Sequence, residues 1–149
     1  MYRKMLVPLD GSEFSECSLE HVKAIGTGCN VPEVVLMRVI EPLPKTGWIS
    51  EAEQEIVDKS ARNHAAVYLS ETADKLKSSG LFTTTVVVDG KPAHEIMEYA
   101  DKNGVDLIII STHGSSGIAR WAFGSVADKV IRLAKVPVLI SSPAACRIS

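Results

Sequence analysis

The sequence of 149 residues predicts a single α/β domain, built as a five-stranded parallel sheet that is doubly wound by helices. Short apolar runs, typical of strands that are buried on both faces, alternate along the chain with runs of helical hydrophobic spacing. Turns that contain Gly or Pro separate these runs. The length is that of one ordinary domain, so we expect the domain to span residues 1–149.

The five predicted strands share apolar or β-branched runs, and they cover residues 4–9, 33–40, 81–88, 105–110 and 136–140. The third strand alternates and is rich in Thr and Val, which indicates a position near an edge of the sheet. Pro137 is tolerated early in an edge strand. Arg38 is the unusual member of the second run, and we expect it near the end of that strand.

The predicted helices follow the strands, and they cover a segment from Ser12 or Ser15 to the glycines at 26 and 28, then residues 51–77, 94–102 and about 125–135. Ser is a favoured residue at a helix start and Gly at a helix end. Between the second strand and the second helix, residues 41–50 contain two prolines and a glycine, which predicts a loop.

Composition excludes several classes of protein. The formal net charge of −2 gives no electrostatic reason to expect nucleic acid or an anionic membrane as the main partner. No apolar run approaches the roughly 20 residues that cross a bilayer. Three cysteines make a disulfide framework or a zinc site unexpected, and we therefore expect a reducing, cytoplasmic location.

A loop of small residues follows the fourth predicted strand. It begins at Ser111-Thr112-His113-Gly114 and ends, after nine residues, at Gly124-Ser125, where the last helix starts. Gly and Ser let backbone N–H groups approach an anion, and a helix N-terminus favours negative charge. The pattern predicts a phosphate-binding loop. Ser125 either caps the helix, with Asp128 as its capping partner, or donates to a phosphate oxygen.

Asp10 follows the first predicted strand, as the small-residue loop follows the fourth. Ligands of doubly wound sheets bind outside the carboxyl ends of the strands, so these two places are expected to border one crevice. A carboxylate there is a good acceptor for ribose hydroxyls. The alternative is that Asp10 only caps the first helix.

Three motifs of this chain resemble those of the universal stress protein family: Val7-Pro8-Leu9-Asp10-Gly11-Ser12, Thr112-His113-Gly114, and Phe123-Gly124-Ser125-Val126-Ala127 followed by the apolar run 136–140. The resemblance covers nearly the whole chain. It implies a Rossmann-like sheet of the adenine nucleotide alpha hydrolase type, with strand order 3-2-1-4-5. It also implies a homodimer joined through residues 136–140.

The resemblance assigns roles to individual residues. Asp10 would accept from the ribose, and the adenine would lie against apolar residues, namely Pro8, Leu9, Val39 and Ile110. The phosphates would be held by residues of the loop and the helix start, namely Gly114, Gly124, Ser125 and Val126. Arg120, inside the loop, is a candidate to neutralise the phosphates. Ser111 stands where the family pattern has its first Gly, and its hydroxyl would either crowd the sugar or hydrogen-bond it.

These observations favour an adenine-nucleotide-binding stress-response protein with a regulatory role, which holds ATP or AMP, with Mg²⁺ bound through the phosphates. The alternative is a homodimeric interaction module of the same fold that binds no nucleotide. A slow ATPase or phosphotransferase is a third reading. No P-loop and no nucleophile with its activating base is visible, so no catalytic residue and no metal ligand is assigned.

Overall fold

The computed structural model describes residues 1–112 and 123–142, which contain one five-stranded parallel sheet in the order β3-β2-β1-β4-β5. The strands are β1 (Lys4–Pro8), β2 (Glu33–Ile40), β3 (Thr83–Asp89), β4 (Leu107–Ser111) and β5 (Val138–Ser141). The helices are α1 (Glu13–Glu16), α2 (Ser18–Gly28), α3 (Glu51–Lys77), α4 (Pro92–Lys102) and α5 (Ser125–Leu133). The predicted fold class and strand order are confirmed.

The core lies in two layers, one on each face of the sheet. On one face α2 and α3 pack against side chains such as Met5, Val7 and Leu36. On the other face α4 and α5 pack against side chains such as Leu6 and Met37. Successive residues of β1 are buried on opposite faces, as expected for a strand in the middle of a doubly wound sheet.

The first helical segment consists of two helices, where the sequence predicts one. Cys17 separates α1 from α2, and its backbone N–H donates to the carbonyl of Phe14, three residues earlier, at 3.3 Å. This is the tighter bonding of a 3₁₀ turn, and it separates the two helices without interrupting the apolar spacing. Hydrophobic periodicity therefore did not reveal the break.

Two cysteines of the described residues differ in state. Cys17 takes part in a disulfide bond, whereas Cys29 is a free thiol. No disulfide framework was expected from the sequence, and the disulfide of Cys17 was not predicted. An odd count and wide spacing along the sequence do not show which thiols the fold brings together.

Three strands, β3, β4 and β5, begin two residues later than predicted. Before β3 and β4, buried apolar residues precede the strand without joining the sheet. Leu81 and Val105 are both 5% exposed, yet their backbone N–H groups donate to carbonyls at the ends of α3 and α4. These residues therefore cover the C-terminal ends of α3 and α4 and are buried there. β4 accordingly starts at Leu107 and extends to Ser111, which places Ser111 inside the strand.

The long helix α3 faces largely toward solvent, as predicted. It begins with a capping box, in which Ser50 accepts from the Glu53 backbone and the Glu53 side chain accepts from Ser50. Its buried residues lie in its second half, from Ala65 to Leu76. Across residues 1–112 and 123–142, no helix combines the length and the hydropathy required to cross a membrane.

Candidate functional site

A cleft opens at the carboxyl ends of β1, β2 and β4, on the face covered by α4 and α5. It holds about 590 Å³ of empty volume, including the part open to solvent. Eight residues predicted from the sequence line it: Pro8, Leu9, Asp10, Val39, Ile110, Ser111, Gly124 and Val126. The structure thus brings the end of the first strand and the start of the last helix to one cavity, although more than a hundred residues separate them.

Three predicted residues do not line this cleft in the described structure. Ser125 is exposed at the start of α5 and is absent from the cleft wall. Gly114 and Arg120 lie outside the described residues. Their predicted roles therefore stay predictions.

Five further residues that the sequence did not predict also line the cleft, namely Ser15, Met37, Pro92, Ile96 and Ala127. A periodicity argument reaches several of them. Met37 precedes Val39 by two residues, so both side chains point to the same face of β2. Pro92 and Ile96 are four residues apart on α4 and share one face of that helix.

Asp10 is held by a residue two positions further along the chain. Its Oδ1 accepts from the backbone N–H of Ser12 at 2.8 Å and from the Ser12 hydroxyl at 2.5 Å. The same Ser12 oxygen accepts from the Ser15 N–H at 3.2 Å and forms the N-cap of α1. The helix is therefore capped by Ser12, and Asp10 orients the cap instead of providing it.

The hydroxyl of Ser111 is bound to the neighbouring strand. Its Oγ donates to the Ser141 carbonyl of β5 at 3.2 Å, and the Thr112 N–H donates to the same carbonyl at 3.0 Å. The sequence left open whether this hydroxyl crowds or binds a sugar. In the structure its hydrogen-bond donor is used within the sheet.

The helix α5 starts at Gly124 without a side-chain cap. Gly124 is the N-cap residue, with φ 22° and ψ 151°, and Ser125 is the first helical residue. The predicted capping pair of Ser125 and Asp128 is wrong, because Asp128 instead binds Arg132 at 3.0 Å, one turn further on. The first N–H groups of an α-helix have no partner within the helix, and here they carry the positive end of the helix dipole at the cleft.

Tyr68 of α3 lies beside Ser15 and Glu16. Within the described chain its buried hydroxyl has no hydrogen bond of acceptable geometry. Burial raises the pKa of Tyr68 to about 12, and the Glu16 carboxylate acts in the same direction. Tyr68 is therefore a neutral, structural group at ordinary pH.

A cluster on α4 was not anticipated from the sequence. Ligand atoms of His94, Glu95 and Glu98 lie within 4.8 Å of one another. The carboxylate of Glu98 is bound to Lys102 at 2.6 Å, and His94 is exposed. Because the lysine already neutralises one carboxylate, we assign no metal to this cluster.

Comparison with known proteins shows the relationships of the chain. The family described as "Universal stress protein family" matches residues 1–142. Universal stress protein MJ0531 of Methanocaldococcus jannaschii is 31% identical over 140 residues, which cover 94% of this chain and 82% of that protein. Universal stress protein YxiE of Bacillus subtilis is 32% identical, with coverages of 94% and 99%.

Solved structures agree with this relationship. The structure of the protein MJ0577 is 32% identical, with a TM-score of 0.82, and the match covers 95% of this chain and 96% of that one. A universal stress protein in complex with cAMP is 25% identical, with a TM-score of 0.72 and coverages of 95% and 97%. With its sheet order, its paired cleft motifs and a family match over residues 1–142, the chain belongs to the universal stress protein family.

Proposed function

We propose that this protein binds an adenine nucleotide, ATP or AMP, in the cleft between β1, β4 and the start of α5. The observation that carries the proposal is the position of Asp10 and Gly124 on the wall of one cavity. A carboxylate suited to accept from ribose hydroxyls thus borders the same cavity as backbone donors that suit phosphate. The nucleotide would act as a regulatory ligand in a cytoplasmic stress-response protein.

The adenine would lie against the apolar wall of the cleft. Val39 and Ile110 come from β2 and β4, and Ile96 closes the wall from α4. Apolar walls with a few polar groups are typical of sites that hold flat aromatic ligands. Pro8 and Leu9 complete this wall and precede Asp10 directly, which would place the ribose next to the base.

The phosphates would lie at the N-terminus of α5. Gly124 has no side chain to block the approach, and Val126 borders the cleft within the first turn. Backbone N–H groups of this turn and the helix dipole favour an anion. Gly114, Ser125 and Arg120 would add donors from the same segment, and Mg²⁺ would be held through the phosphate oxygens.

A relative supports the proposal. The universal stress protein solved in complex with cAMP shares this fold and holds a ligand that contains adenine, ribose and phosphate. These are the three groups for which the cleft described here has an apolar wall, a carboxylate and a helix N-terminus. The similarity concerns the family, and the assignment to this chain is our proposal.

We also propose that the protein forms a homodimer through β5. This strand lies at an edge of the sheet, and within residues 1–112 and 123–142 the strand that pairs with it is β4. An uncovered strand edge leaves backbone groups that pair readily with a second chain. Light scattering should give twice the mass of one chain, and a monomeric mass at micromolar concentration would refute the dimer.

Titration calorimetry with ATP, on protein stripped of bound nucleotide, tests the binding proposal. We expect saturable binding that weakens about tenfold or more in Asp10→Ala, because a hydrogen bond to a charged group is lost. Gly124→Val should also weaken binding, since it places a branched side chain at the phosphate end. Asp74→Ala, at an exposed position of α3, is the matched control and should bind like the parent.

The same titration, together with an assay of phosphate release, separates nucleotide binding from the two alternative functions. Absence of heat and of a thermal shift at millimolar ATP would contradict it and favour the interaction module without nucleotide. Steady-state phosphate release well above background, abolished by Asp10→Ala, would instead favour an ATPase.

A further inference from the structure

We propose that a second cleft, on the opposite face of the sheet, binds a small molecule through an oxyanion, a phosphate or a carboxylate, with Arg38 as its anchor. This cleft lies between α3 and the carboxyl ends of β1 and β2. Its lining residues include Gly11, Arg38, Ile40, His64 and Tyr68. It holds about 500 Å³ of empty volume, including the part open to solvent.

The first argument is the state of Arg38. The residue is half-buried within β2, where its neighbours along the strand are apolar. Within residues 1–112 and 123–142, the Arg38 side chain forms no ion pair and no hydrogen bond, whereas Arg62 and Arg132 each bind a carboxylate. A guanidinium carries five donors in a planar fork that matches a carboxylate or a phosphate.

The second argument is the position of the guanidinium. It lies over Gly11, where an added Cβ would be 3.7 Å from Nη1 and 3.9 Å from Cζ. Its side chain therefore reaches from β2 across the end of β1, to the edge of the sheet where ligands of such folds bind. Packing against Gly11 holds the fork at the cleft instead of letting it extend into solvent.

The third argument is the character of the remaining wall. His64 is exposed at the rim and supplies a second nitrogen donor, while Ile40, Ala61 and Ala65 provide apolar surface. This combination suits an organic molecule with one anionic end. Two carboxylates lie near the cleft: Asp10, which receives two hydrogen bonds from Ser12, and Glu16, which is 3.9 Å from Lys75. They limit the charge that the cleft tolerates, so we expect one oxyanion and not a polyphosphate.

The cleft is distinct from the proposed nucleotide site. Met37 and Val39 point to the face of α4 and α5, whereas Arg38 and Ile40, on alternate positions of the same strand, point to α3. A ligand at Arg38 therefore does not depend on the nucleotide proposal.

Nuclear magnetic resonance of the full chain, titrated with sodium phosphate or sodium acetate at constant ionic strength, tests the inference. We expect saturable shifts of the Arg38 Nε–H signal, the His64 ring and the Gly11 amide, with one of the two anions binding more tightly and so identifying the class. Gly124→Val, altered at the other cleft, should keep these shifts.

Variants sharpen the outcome. Arg38→Met should weaken binding at least about tenfold, because the fork that holds the anion is removed. Arg132→Met, at an exposed arginine of α5, should bind like the parent. If Arg38→Met and Arg132→Met changed the affinity for the anion equally, the inference would be overturned. It would also be overturned by the absence of saturable shifts around Arg38 in the parent chain, a result that does not depend on whether Arg38→Met folds.

Discussion

Ser12 donates both its backbone N–H and its hydroxyl to the same carboxylate oxygen of Asp10, at 2.8 Å and 2.5 Å. The hydroxyl oxygen also caps α1, so one side chain couples the start of a helix to the orientation of the carboxylate. In the proposed site, Ser12 is thus a positioning residue for Asp10, which would contact the ribose.

Replacing Ser12 removes both the helix cap and the hydroxyl hydrogen bond that orients Asp10, and each loss has its own expected effect. Ser12→Ala should cost about 1 kcal/mol of stability through loss of the cap. It should also weaken ATP about fivefold, because Asp10 would no longer be pre-organised. The ratio of the affinities for ATP and for 2′,3′-dideoxy-ATP, which lacks the ribose hydroxyls, should also decrease. Calorimetry measures the affinity for each ligand.

Ser50→Ala is the matched control for this experiment. Ser50 caps α3 in the same manner and does not line the cleft, so its loss should lower stability by a similar amount without changing ATP affinity. If Ser12→Ala and Ser50→Ala affect ATP equally, Ser12 has only a structural role.

The hydroxyl of Ser111 should matter little for nucleotide binding. Ser111→Ala removes the bond to the Ser141 carbonyl, which keeps the Thr112 N–H, so we expect a loss of about 0.5–1 kcal/mol in stability. ATP affinity should change less than about twofold, because the hydroxyl is engaged with β5. A larger change in affinity would mean that the hydroxyl turns toward the ligand.

Two glycines of α2 should respond oppositely to alanine. A Cβ at Gly26 would lie 2.7 Å from Leu81 Cδ2 in the buried core, whereas one at Gly28 would have no neighbour within 4 Å. Gly26→Ala should destabilise by about 1 kcal/mol, the overpacking exceeding the gain in helix propensity. Gly28→Ala should be neutral or stabilise by up to about 1 kcal/mol. Urea unfolding checks both, and a stable Gly26→Ala would show that Leu81 moves aside freely.

The raised pKa of Tyr68 predicts that the stability of the fold decreases at alkaline pH. Its pKa is raised from 10.0 to about 12 in the folded protein, so the unfolded chain loses this proton first. Stability from this group is complete below pH 10 and should fall as the pH rises from about 10 to 12. Tyr68→Phe should reduce this slope, and it should not destabilise at neutral pH, since the hydroxyl has no well-formed hydrogen bond. An unchanged slope in the variant would contradict the assignment.

The fold class was predictable because apolar runs and helical spacings alternate in an order that few topologies satisfy. Strand ends were less predictable, since Leu81 and Val105 are buried by sealing helix ends, and burial is all that a hydrophobic pattern reports. The break at Cys17 escaped for a related reason, because a 3₁₀ turn preserves the spacing.

The site was partly predictable for topological reasons. Asp10, Ser111 and Gly124 follow or end elements whose carboxyl edges or N-termini must meet in this sheet. The contribution of α4 through Ile96 depends on how that helix crosses the sheet, which the sequence does not encode locally. Arg38 stands out as a charged residue in an apolar strand, but its position over Gly11 is visible only in the three-dimensional structure.

The central claim is tested most directly by locating the base of bound ATP. In a complex with methyl-labelled protein, we predict nuclear Overhauser contacts from adenine H2 or H8 to methyl groups of Val39, Ile96 and Ile110, which line the cleft. The proposed site would be contradicted if the protein, saturated with ATP, showed none of these contacts. It would also be contradicted if the contacts were instead to the exposed Ile56 and Val57 of α3.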